Sequence, residues 1–438
     1  MNVLVVDSEE QGLDFCLRAA AHGHAIRWFR FDPVKHGVGF KEIEIVDDWR
    51  PHISWAKDGL ILNTGNWRYV HELTRLCDYN GLKVFGPTVA SAALEIDRGA
   101  GMDAMKAAGI DVPPYQEFDS LQAALRFARK SDRAWVLKPL GDETDKSLTY
   151  VSRDPADLVG WIQRQIAAGK QIKRCMLQEK IDVLCEIGVS GWMGPEGFLD
   201  HKWQVCVEHK KLMDGEIGPS TGEMGTVMQY VEDDLLAAEM LVPMEPILRT
   251  MGHRGDFAVG AILDRAGKCW PCEFTARCGW PAFHIQMASH RGDPARWMKD
   301  LLDGKDSLRV SYDVAIGVVL AQPMFPYEKS PPDLVEGNPI TGMEEVWDDV
   351  HPVGVMVGKG VRMGAGGVED NPRAYLTSGE YVAVATALGK TIERARTKVY
   401  RTIDALHFPD KMFRTDIGCK VIDCLKEVQS HGYLVDMA

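Results

Sequence analysis

Positive charge is scarce in this 438-residue sequence, because 50 lysines and arginines face 63 aspartates and glutamates and the net charge is -13 at pH 7. A chain of this sign repels phosphate groups on average, so we expect no nonspecific binding to nucleic acid. Apolar runs of the roughly 18 residues that span a bilayer are also missing. The start, MNVLVVDSEEQG, lacks the basic stretch and apolar core of a secretory leader. We therefore expect no membrane partner and a cytoplasmic location.

A disulfide framework and a dinucleotide motif are missing as well. The ten cysteines have no regular spacing, which indicates reduced thiols. Cys269 and Cys272 of CWPC lie in a predicted strand, where residues three apart point to opposite faces. The two sulfurs would then diverge unless Pro271 marks a bulge, and we interpret both as packing cysteines. The loop after the first predicted strand, DSEEQG, contains no G-x-G-x-x-G, so a dinucleotide site has little support.

The composition that is present is typical of a folded protein with several lobes. Apolar residues make up 45% and charged residues 26% of the chain, as in globular proteins. Its length predicts two to four lobes. Strands at Val3–Val6 and Gly59–Leu62 alternate with helices and predict a doubly wound parallel sheet over about the first 90 residues. Ligands bind beyond the carboxyl ends of such strands, so the loops Asp7–Gly12 and Asn63–Asn66 are candidate edges of a site.

Later segments predict a mixed architecture. An alanine-rich helical linker ends at Pro113-Pro114 and is followed by the strand WVLKPL, and then by a strand, a break and a strand in CMLQEKIDVLCEIGVSGWM. A hairpin is expected to turn at Asp264–Gly267. The tail from about Tyr312 has strands of its own, AIGVVLAQ and EYVAVATAL. The predicted fold class is α/β and α+β, with several domains.

A glycine-rich stretch, EHKKLMDGEIGPSTGEMGT, runs from Glu208 to Thr226. Charged residues surround its four glycines, and it contains few large apolar side chains. We interpret it as a loop outside the core whose ordering costs chain entropy. Backbone amides next to glycines can approach a small anion closely, so we expect this loop to hold a ligand.

Lys138 and Lys146 are candidate phosphate ligands. Lys138 interrupts an apolar strand, and a buried ammonium is costly unless it meets an anion. Lys146 follows eight residues later in the polar loop GDETDKS, so the two could grip a polyphosphate from two sides. The alternative, equally compatible with the sequence, is a lysine that extends to solvent at a strand end.

Glu273, Thr275 and Arg277 share one face of the predicted strand that ends in CEFTAR. A carboxylate and a hydroxyl suit a hard cation such as Mg²⁺, which takes further oxygens from phosphates and water, and the guanidinium suits an anion. The spacing alone favours a plainer interpretation, an edge strand with a solvated polar face.

The order of these parts resembles the ATP-grasp enzymes, and in detail the phosphoribosylamine–glycine ligase (glycinamide ribonucleotide synthetase) family of purine synthesis. VFGPTVASAALE is similar to the family's FGP-T-x-A-A-x-LE, and the glycine-rich stretch is similar to its HKR-x-x-DGD-x-GP-N-TGGMG. CEFTARCGWP stands where the family has EFN-x-RFGDP, and FRTDIG matches its RKDIG. The matches run from about Val84 to Gly418, while the first 80 residues are alike only in topology.

The resemblance implies ATP and Mg²⁺ (or Mn²⁺) as cofactors and assigns roles by position. The catalytic residues would be Lys138, Glu273 and Arg277, with Glu273 and Thr275 as metal ligands. The residues that would contact ATP are Arg98, Lys138, Lys146, Gln178, Glu179, Ile181 and Glu186. The residues that would line the carboxylate and amine pocket are Glu216, Gly218, Pro219, Ser220, Thr221, Gly222 and Arg277.

The resemblance also implies domain boundaries. Residues 1–95 would form a Rossmann-like (pre-ATP-grasp) domain and residues 311–438 a C-terminal domain of the glycinamide ribonucleotide synthetase type. The ATP-grasp domain would span 96–310, with a small ATP lobe at about 113–182 and a central lobe at about 183–310. A monomer or a homodimer that acts on small molecules is expected.

The departures from the family pattern cluster in the half that would bind phosphoribosylamine. The family's glycine-rich first loop binds the ribose phosphate, whereas this loop carries Glu9 and Glu10, which would repel it. RFGDPE has become Arg277 to Ala282, with Trp280 in place of an acid, and Thr275 replaces an asparagine. Trp280 either fills space or stacks on a flat substrate.

Three functions follow from this pattern. The first is an ATP-dependent carboxylate–amine ligase that works through an acyl phosphate and joins glycine or another small amino acid to an altered amine. The second is an authentic phosphoribosylamine–glycine ligase. The third is a degenerate ATP-binding scaffold, which the joint retention of Lys138, Glu186, Glu273 and Arg277 disfavours.

Overall fold

The structure is a computed structural model that describes residues 1–31, 34–140, 149–170, 172–326, 330–364 and 366–438. Lys146 and the whole of the predicted loop GDETDKS lie outside the described residues. None of the described helices combines the length and the apolar character that crossing a bilayer requires.

The first part of the chain forms a four-stranded parallel sheet of order β3-β2-β1-β4. Its elements are β1 (Asn2–Asp7), α1 (Leu13–Ala21), β2 (Ala25–Arg30), β3 (Glu44–Val46), β4 (Leu60–Asn63) and α2 (Val70–Asn80). Both faces of β1 are buried, as its unbroken apolar run predicts. The predicted parallel sheet with alternating helices is confirmed.

Two capped helices connect this sheet to the rest of the chain, α3 (Val89–Ile96) and α4 (Arg98–Ala107). The Thr88 side chain caps α3 through a reciprocal bond with Ser91, and the Asp97 side chain accepts from two amides at the start of α4. The break between the helices therefore fixes Arg98 at the first position of α4.

A small antiparallel sheet of order β5-β8-β6-β7 follows, covered by two helices. Its elements are β5 (Tyr115–Phe118), α5 (Leu121–Ala128), β6 (Trp135–Pro139), β7 (Tyr150–Val151), α6 (Pro155–Ala167) and β8 (Cys175–Glu179). Its core consists of apolar side chains from both layers, such as Leu121, Leu137 and Ile162.

The middle of the chain contributes long strands and short helices. They are β9 (Val183–Met193), β10 (Trp203–Met213), β11 (Ile217–Val231), α7 (Leu235–Met240), α8 (Glu245–Thr250), β12 (Gly255–Asp264), β13 (Cys269–Thr275), α9 (Ala282–Ser289), β14 (His290–Arg291), α10 (Pro294–Leu302) and β15 (Arg309–Val310). The predicted hairpin is present, since the Gly267 amide donates to the Asp264 carbonyl at 3.0 Å.

The last part of the chain adds further strands and two long helices. They are β16 (Val314–Ala321), α11 (Pro332–Val335), β17 (Glu336–Ile340), β18 (Val350–Pro352), β19 (Val355–Gly364), β20 (Gly367–Ser378), β21 (Tyr381–Gly389), α12 (Ile392–Ala405) and α13 (Cys419–Ser430). Strands β17, β20 and β19 form a separate three-stranded sheet.

An eight-stranded antiparallel sheet of order β13-β12-β9-β10-β11-β16-β21-β18 unites the middle and last parts of the chain. The pairing of β11 with β16 joins Gly225 to Val318 and Met228 to Ala315. Strands from both proposed domains, 96–310 and 311–438, thus pair within a single sheet. The boundaries themselves stay a proposal.

The prediction of a loop outside the core for the stretch 208–226 was wrong. Strands β10 and β11 form a hairpin through most of this stretch, and only Asp214–Glu216 make the turn. Its base is buried, with Glu223 only 4% exposed. One of its glycines serves packing, because a Cβ on Gly225 would lie 2.7 Å from the Gly317 carbonyl oxygen. Strand pairing satisfies the polar backbone there, which composition alone does not reveal.

The CWPC segment lies in β13, as predicted, and contains a bulge. Gly260 pairs with Glu273 and Ala261 with Pro271, so Cys272 is the extra residue. The Cys269 and Cys272 thiols are both free.

Candidate active site

Five charged side chains from four elements meet where the small sheet faces the eight-stranded sheet. Arg98 Nη2 lies 3.5 Å from one carboxylate oxygen of Glu273, and Lys210 Nζ lies 3.7 Å from the other. Lys210 also contacts Glu208 Oε2 at 2.9 Å. The field of Lys138, on β6, acts on the same group. This set of residues is called the charged cluster below.

Burial and like charge act together on Lys138. Burial lowers the pKa of its ammonium, the fields of Cys272 and Glu273 oppose this shift, and the positive charges of Arg98 and Lys210 add to it. A nearby anion would stabilise the charged form of a lysine in this environment, because it offsets the cost of burial and the repulsion from Arg98 and Lys210.

Lys210 and Glu208 are members of the cluster that the sequence analysis missed. The carboxylate of Glu208 raises the pKa of Lys210 well above its ordinary value, against the effect of burial, and Glu273 and Glu186 add to this shift. Residues 208 and 210 share a face of β10. Interpreting EHKK as a strand would have found the pair.

Glu273 and Thr275 lie on one face of β13, as predicted, with the buried Phe274 between them on the opposite face. The strand ends at Thr275, so Arg277 lies beyond it and not on the predicted strand face. Among the residues that the structure describes, no three His, Cys, Asp or Glu side chains are grouped so that they could hold a metal. A divalent cation at Glu273 would therefore take most of its oxygens from phosphates and water, which is usual for Mg²⁺.

The residues predicted for adenine lie at the end of β8 and beyond it. Gln178 is buried and pairs with Val136 of β6. Glu179 carries its carboxylate outward to Arg133, at 2.8 Å, and Ile181 is half-buried in the connection to β9. Glu186 is exposed on β9. Glu186 lies near the charged cluster, since its field acts on Lys210, and the roles of all four residues stay predictions.

Arg277 is held beside the end of β13 by two carboxylates. Its Nη2 lies 3.2 Å from Glu95 Oε1. Although burial lowers it, the fields of Glu95 and Glu9 keep the pKa of Arg277 above its ordinary value. Burial raises the pKa of Glu9, and Arg277 opposes that rise. Arg277 therefore links the first loop of the chain to the face that carries Glu273.

Asp7 occupies the centre of that first loop. Its buried carboxylate accepts from the Gly12 amide at 2.7 Å and from the Thr64 hydroxyl at 2.6 Å. The amides of Glu9 and Gln11 also donate to it, each at 3.3 Å, as does the indole of Trp28. The two predicted edges of the site are thus adjacent, and a carboxylate of the chain itself takes up amides of the loop that leads into α1.

Most of the residues predicted for the carboxylate and amine pocket lie in the first residues of β11 or in the turn before it. Residues 218–222 are exposed or half-buried in the strand, and Thr221 Oγ1 donates to the Lys210 carbonyl at 3.0 Å. Glu216 lies apart from the charged cluster and contacts Arg414 at 2.7 Å and Lys420 at 3.5 Å. The structure brings the hairpin and the segment 414–420 together, and the pocket assignment stays a prediction.

Two aromatic rings lie against Gly222, and a buried carboxylate follows it in the strand. A Cβ at Gly222 would lie 3.5 Å from Trp280 Cδ1 and 3.7 Å from the Tyr381 hydroxyl. The Trp280 and Tyr381 rings are 4.7 Å apart, and Phe325 lies 4.6 Å from Tyr381. Glu223 Oε1 is buried with no hydrogen-bond partner within the described part of the chain, and burial followed by Glu208 raises its pKa well above the ordinary value.

Comparison with known proteins places the chain near one group of ligases. Residues 315–420 match the family model "Phosphoribosylglycinamide synthetase, C domain". The phosphoribosylamine–glycine ligase of Escherichia coli O157:H7 is 26% identical over 356 residues, which cover 78% of this chain and 79% of that protein.

Solved structures show the same fold. The phosphoribosylamine–glycine ligase of Thermotoga maritima superposes with a TM-score of 0.71 at 19% identity, covering 95% of this chain and 100% of that one. A biotin carboxylase–β-γ-ATP complex from Campylobacter jejuni gives a TM-score of 0.64 at 14% identity, covering 99% of this chain and 97% of that one.

The predicted resemblance and fold are therefore confirmed. The chain has the ATP-grasp fold and is similar to phosphoribosylamine–glycine ligase over most of its length. The relatives and structural neighbours agree with the predicted enzyme class, an ATP-dependent ligase.

Proposed function

We propose that this ligase-like chain is an ATP-dependent carboxylate–amine ligase that forms an amide through an acyl phosphate. The observation that carries the proposal is the charged cluster, in which Arg98 and Lys210 contact the Glu273 carboxylate and Lys138 lies within reach of its field. Three cations near one carboxylate suit a polyphosphate that arrives with a divalent cation. Mn²⁺ would suit the same oxygen ligands as Mg²⁺.

The proposed chemistry needs positioning and charge neutralisation more than covalent help. Lys138 and Arg98 would hold phosphate oxygens, and Glu273 with Thr275 would bind the cation. When bound, that cation would neutralise charge on the phosphates. Arg277 would hold the oxygens of the transferring phosphoryl group, and its contact with Glu95 would fix its direction.

The amine substrate is proposed to differ from phosphoribosylamine. Asp7 already takes up amides of the loop that leads into α1, and Glu9 stands beside it with its carboxylate accepting from Trp67 at 3.1 Å. A phosphate placed there would meet two carboxylates at close range. Glycine or another small amino acid remains the proposed carboxylate substrate, by similarity alone.

Glu223 and Trp280 also support an altered amine. Glu223 stands where the family signature TGGMG has a glycine, and Trp280 stands where RFGDP has an aspartate. Trp280 lies against Gly222 of the stretch assigned to the pocket, and Glu223 follows Gly222 and acts on Tyr381 through its field. A buried carboxylate next to aromatic rings favours an amine with an apolar or flat body and a positive charge.

Authentic phosphoribosylamine–glycine ligase activity is the second candidate. The 26% identity over 356 residues favours it. A catalytically degenerate ATP-binding scaffold is the third candidate, favoured by Thr275 as a weak metal ligand and by the glycine-poor loop GDETDKS.

The decisive experiment measures ADP release with ATP, Mg²⁺ and glycine, while phosphoribosylamine and a panel of other amines and amino acids are supplied in turn. We expect an amine without a phosphate group to stimulate release. Stimulation by phosphoribosylamine alone would establish the second candidate. ATP binding without ADP release for any pair would favour the scaffold.

Variants test the assigned residues. Lys138→Ala and Glu273→Gln are each expected to lower the rate of ADP release about 10²-fold or more, because each removes charge that stabilises the transferring phosphoryl group. Lys180→Ala is the matched control, since Lys180 Nζ donates to the Ser152 carbonyl outside the cluster. Unchanged rates in either cluster variant would contradict the assignment.

A further inference from the structure

Two thiols that are distant in sequence meet beside the candidate active site. Cys185 on β9 and Cys424 on α13 place their Sγ atoms 3.5 Å apart, a hydrogen-bonding distance for sulfur. Cys185 is buried and Cys424 is half-buried. A small oxidant can therefore reach Cys424, while Cys185 stands behind it.

The two thiols differ in character. The hydrogen bond between them lowers the pKa of Cys424, and the same bond together with burial raises the pKa of Cys185. The ammonium of Lys420, one turn earlier on α13, also lowers the pKa of Cys424. A more acidic, accessible thiol beside a less acidic, buried one corresponds to an attacking and a resolving cysteine.

We propose that Cys185 and Cys424 form a modification site, a reversible intramolecular disulfide that links α13 to β9. The proposed oxidant is a low-molecular-weight disulfide such as oxidised glutathione.

The exchange proceeds in two balanced steps. The Cys424 thiolate attacks one sulfur of the oxidant, and the first small thiolate leaves and takes up a proton. Cys185 then gives up its proton, and its sulfur attacks the Cys424 sulfur of the mixed disulfide, which releases the second small thiol. Two protein thiols are oxidised, and one small disulfide is reduced to two thiols.

The link would reach the nucleotide side of the cleft. Cys185 and Glu186 are consecutive residues of β9, with side chains on opposite faces of the strand. A shift of β9 at Cys185 therefore also moves Glu186, which is assigned to ATP. Lys420 on α13 contacts Glu216 and the Glu208 carbonyl. Bringing two sulfurs from 3.5 Å to a disulfide length of about 2.05 Å draws α13 toward β9 to the extent that rotation of the two side chains does not close the gap. Oxidation is therefore expected to weaken ATP binding, a consequence that rests on the proposed function.

The test treats the full-length chain with oxidised glutathione at graded ratios to reduced glutathione. Mass spectrometry of the intact chain should show the loss of two hydrogen atoms, and digestion should yield one peptide pair linked through Cys185 and Cys424. Dithiothreitol should restore both thiols. Cys424→Ser should abolish the link, whereas Cys419→Ser, on the same helix and with its sulfur near Arg396, should leave it unchanged.

Titration with ATP then follows the reduced and oxidised forms of the wild-type chain and of Cys424→Ser. We expect oxidation to weaken binding about five-fold or more in the wild-type chain and to leave Cys424→Ser unaffected. Failure to form the linked peptide at any ratio would overturn the proposal, and equal affinities of the two wild-type forms would overturn the coupling. A reduced chain that binds no ATP would instead refute the proposed function, while the mass spectra still decide the disulfide.

Discussion

The carboxylate of Asp7 occupies hydrogen-bond donors of the first loop that would otherwise be available to an anionic ligand. Three amides, a hydroxyl and an indole donate to it, although it is fully buried. Burial raises the pKa of Asp7, and the bonds from Thr64, Gly12 and Trp28 oppose that rise. The amides of Glu9, Gln11 and Gly12, which lead into α1, are thus occupied without any ligand.

Removing this carboxylate should free these amides. Asp7→Ala is expected to lower the free energy of unfolding by about 1–3 kcal/mol, because buried donors lose their acceptor. Inorganic phosphate should restore part of the loss in the variant and do little for the wild-type chain, since bound ligand stabilises only a chain with a vacant site. Thermal unfolding with and without phosphate measures both effects.

Asp58→Ala, an exposed position, is the control. An equal response to phosphate in the wild-type chain and in Asp7→Ala would contradict this account of the loop.

The buried carboxyl group of Asp256 is expected to make the stability of the folded chain depend on pH. Burial raises its pKa to about 7, while the bond from Gln286 opposes the shift. Because the folded pKa lies above the unfolded value of 3.8, the folded state binds the proton more tightly, and the contribution of Asp256 to stability falls as pH rises through that window. Asp256→Asn should remove this dependence between about pH 4 and 7.

Urea unfolding of the wild-type chain and Asp256→Asn at several pH values measures the difference. We expect the variant to gain stability relative to the wild-type chain as pH rises. A difference that stays constant from pH 4 to 8 would show that Asp256 does not titrate in this range.

At the scale of elements, the β10–β11 hairpin uses its glycines in two ways. Gly225 lies where β11 meets β16, and a Cβ there would approach the Gly317 carbonyl at 2.7 Å and Ile417 at 2.8 Å. Gly222, three residues earlier, has only ordinary contacts at 3.5 Å or more. Gly225 therefore serves packing, and Gly222 leaves room at the candidate pocket.

These two positions give a matched pair of variants. Gly225→Ala is expected to destabilise the chain by about 1–3 kcal/mol, as overpacking does. Gly222→Ala should change stability little, because the space beside it is open to a methyl group. Chemical denaturation of both variants measures the difference, and equal losses would refute the packing role of Gly225.

Apolar runs predicted the strands of this chain well, because their signal is local. AIGVVLAQ and EYVAVATAL became β16 and β21, with residues 314–321 all buried. The polar hairpin was misread, because its burial comes from the pairing of β11 with β16, which composition does not encode. Glu208, Lys210 and Glu223 were missed for the same reason. Cys185 and Cys424 lie 239 residues apart, and only the folded chain joins them.

At the scale of the whole molecule, the first helix is tied to the last part of the chain. Asp14 on α1 contacts His351 on β18 at 2.7 Å and Arg18 at 2.7 Å, and Arg18 also donates to the Val350 carbonyl. The eight-stranded sheet adds the pairing of β11 with β16. Sequence similarity suggested domain boundaries, but these contacts cross them.

We therefore expect the chain to unfold as one unit. Scanning calorimetry should give a single transition whose calorimetric and van't Hoff enthalpies agree. Asp14→Asn should shift that transition to lower temperature without splitting it, because a buried ion pair loses one partner. Two separate transitions in the wild-type chain would instead mean that the lobes melt independently.

The tethered anion in the loop that leads into α1 also bears on how the cleft responds to its substrates. Because Asp7 is part of the chain, the groups that donate to its carboxylate have an acceptor whether or not a ligand is bound. This rim of the cleft is consequently preorganised, and the arrival of an amine should cost it little ordering entropy. Selection among amines would then depend on what fits against a rigid wall, and less on closure around a bound phosphate.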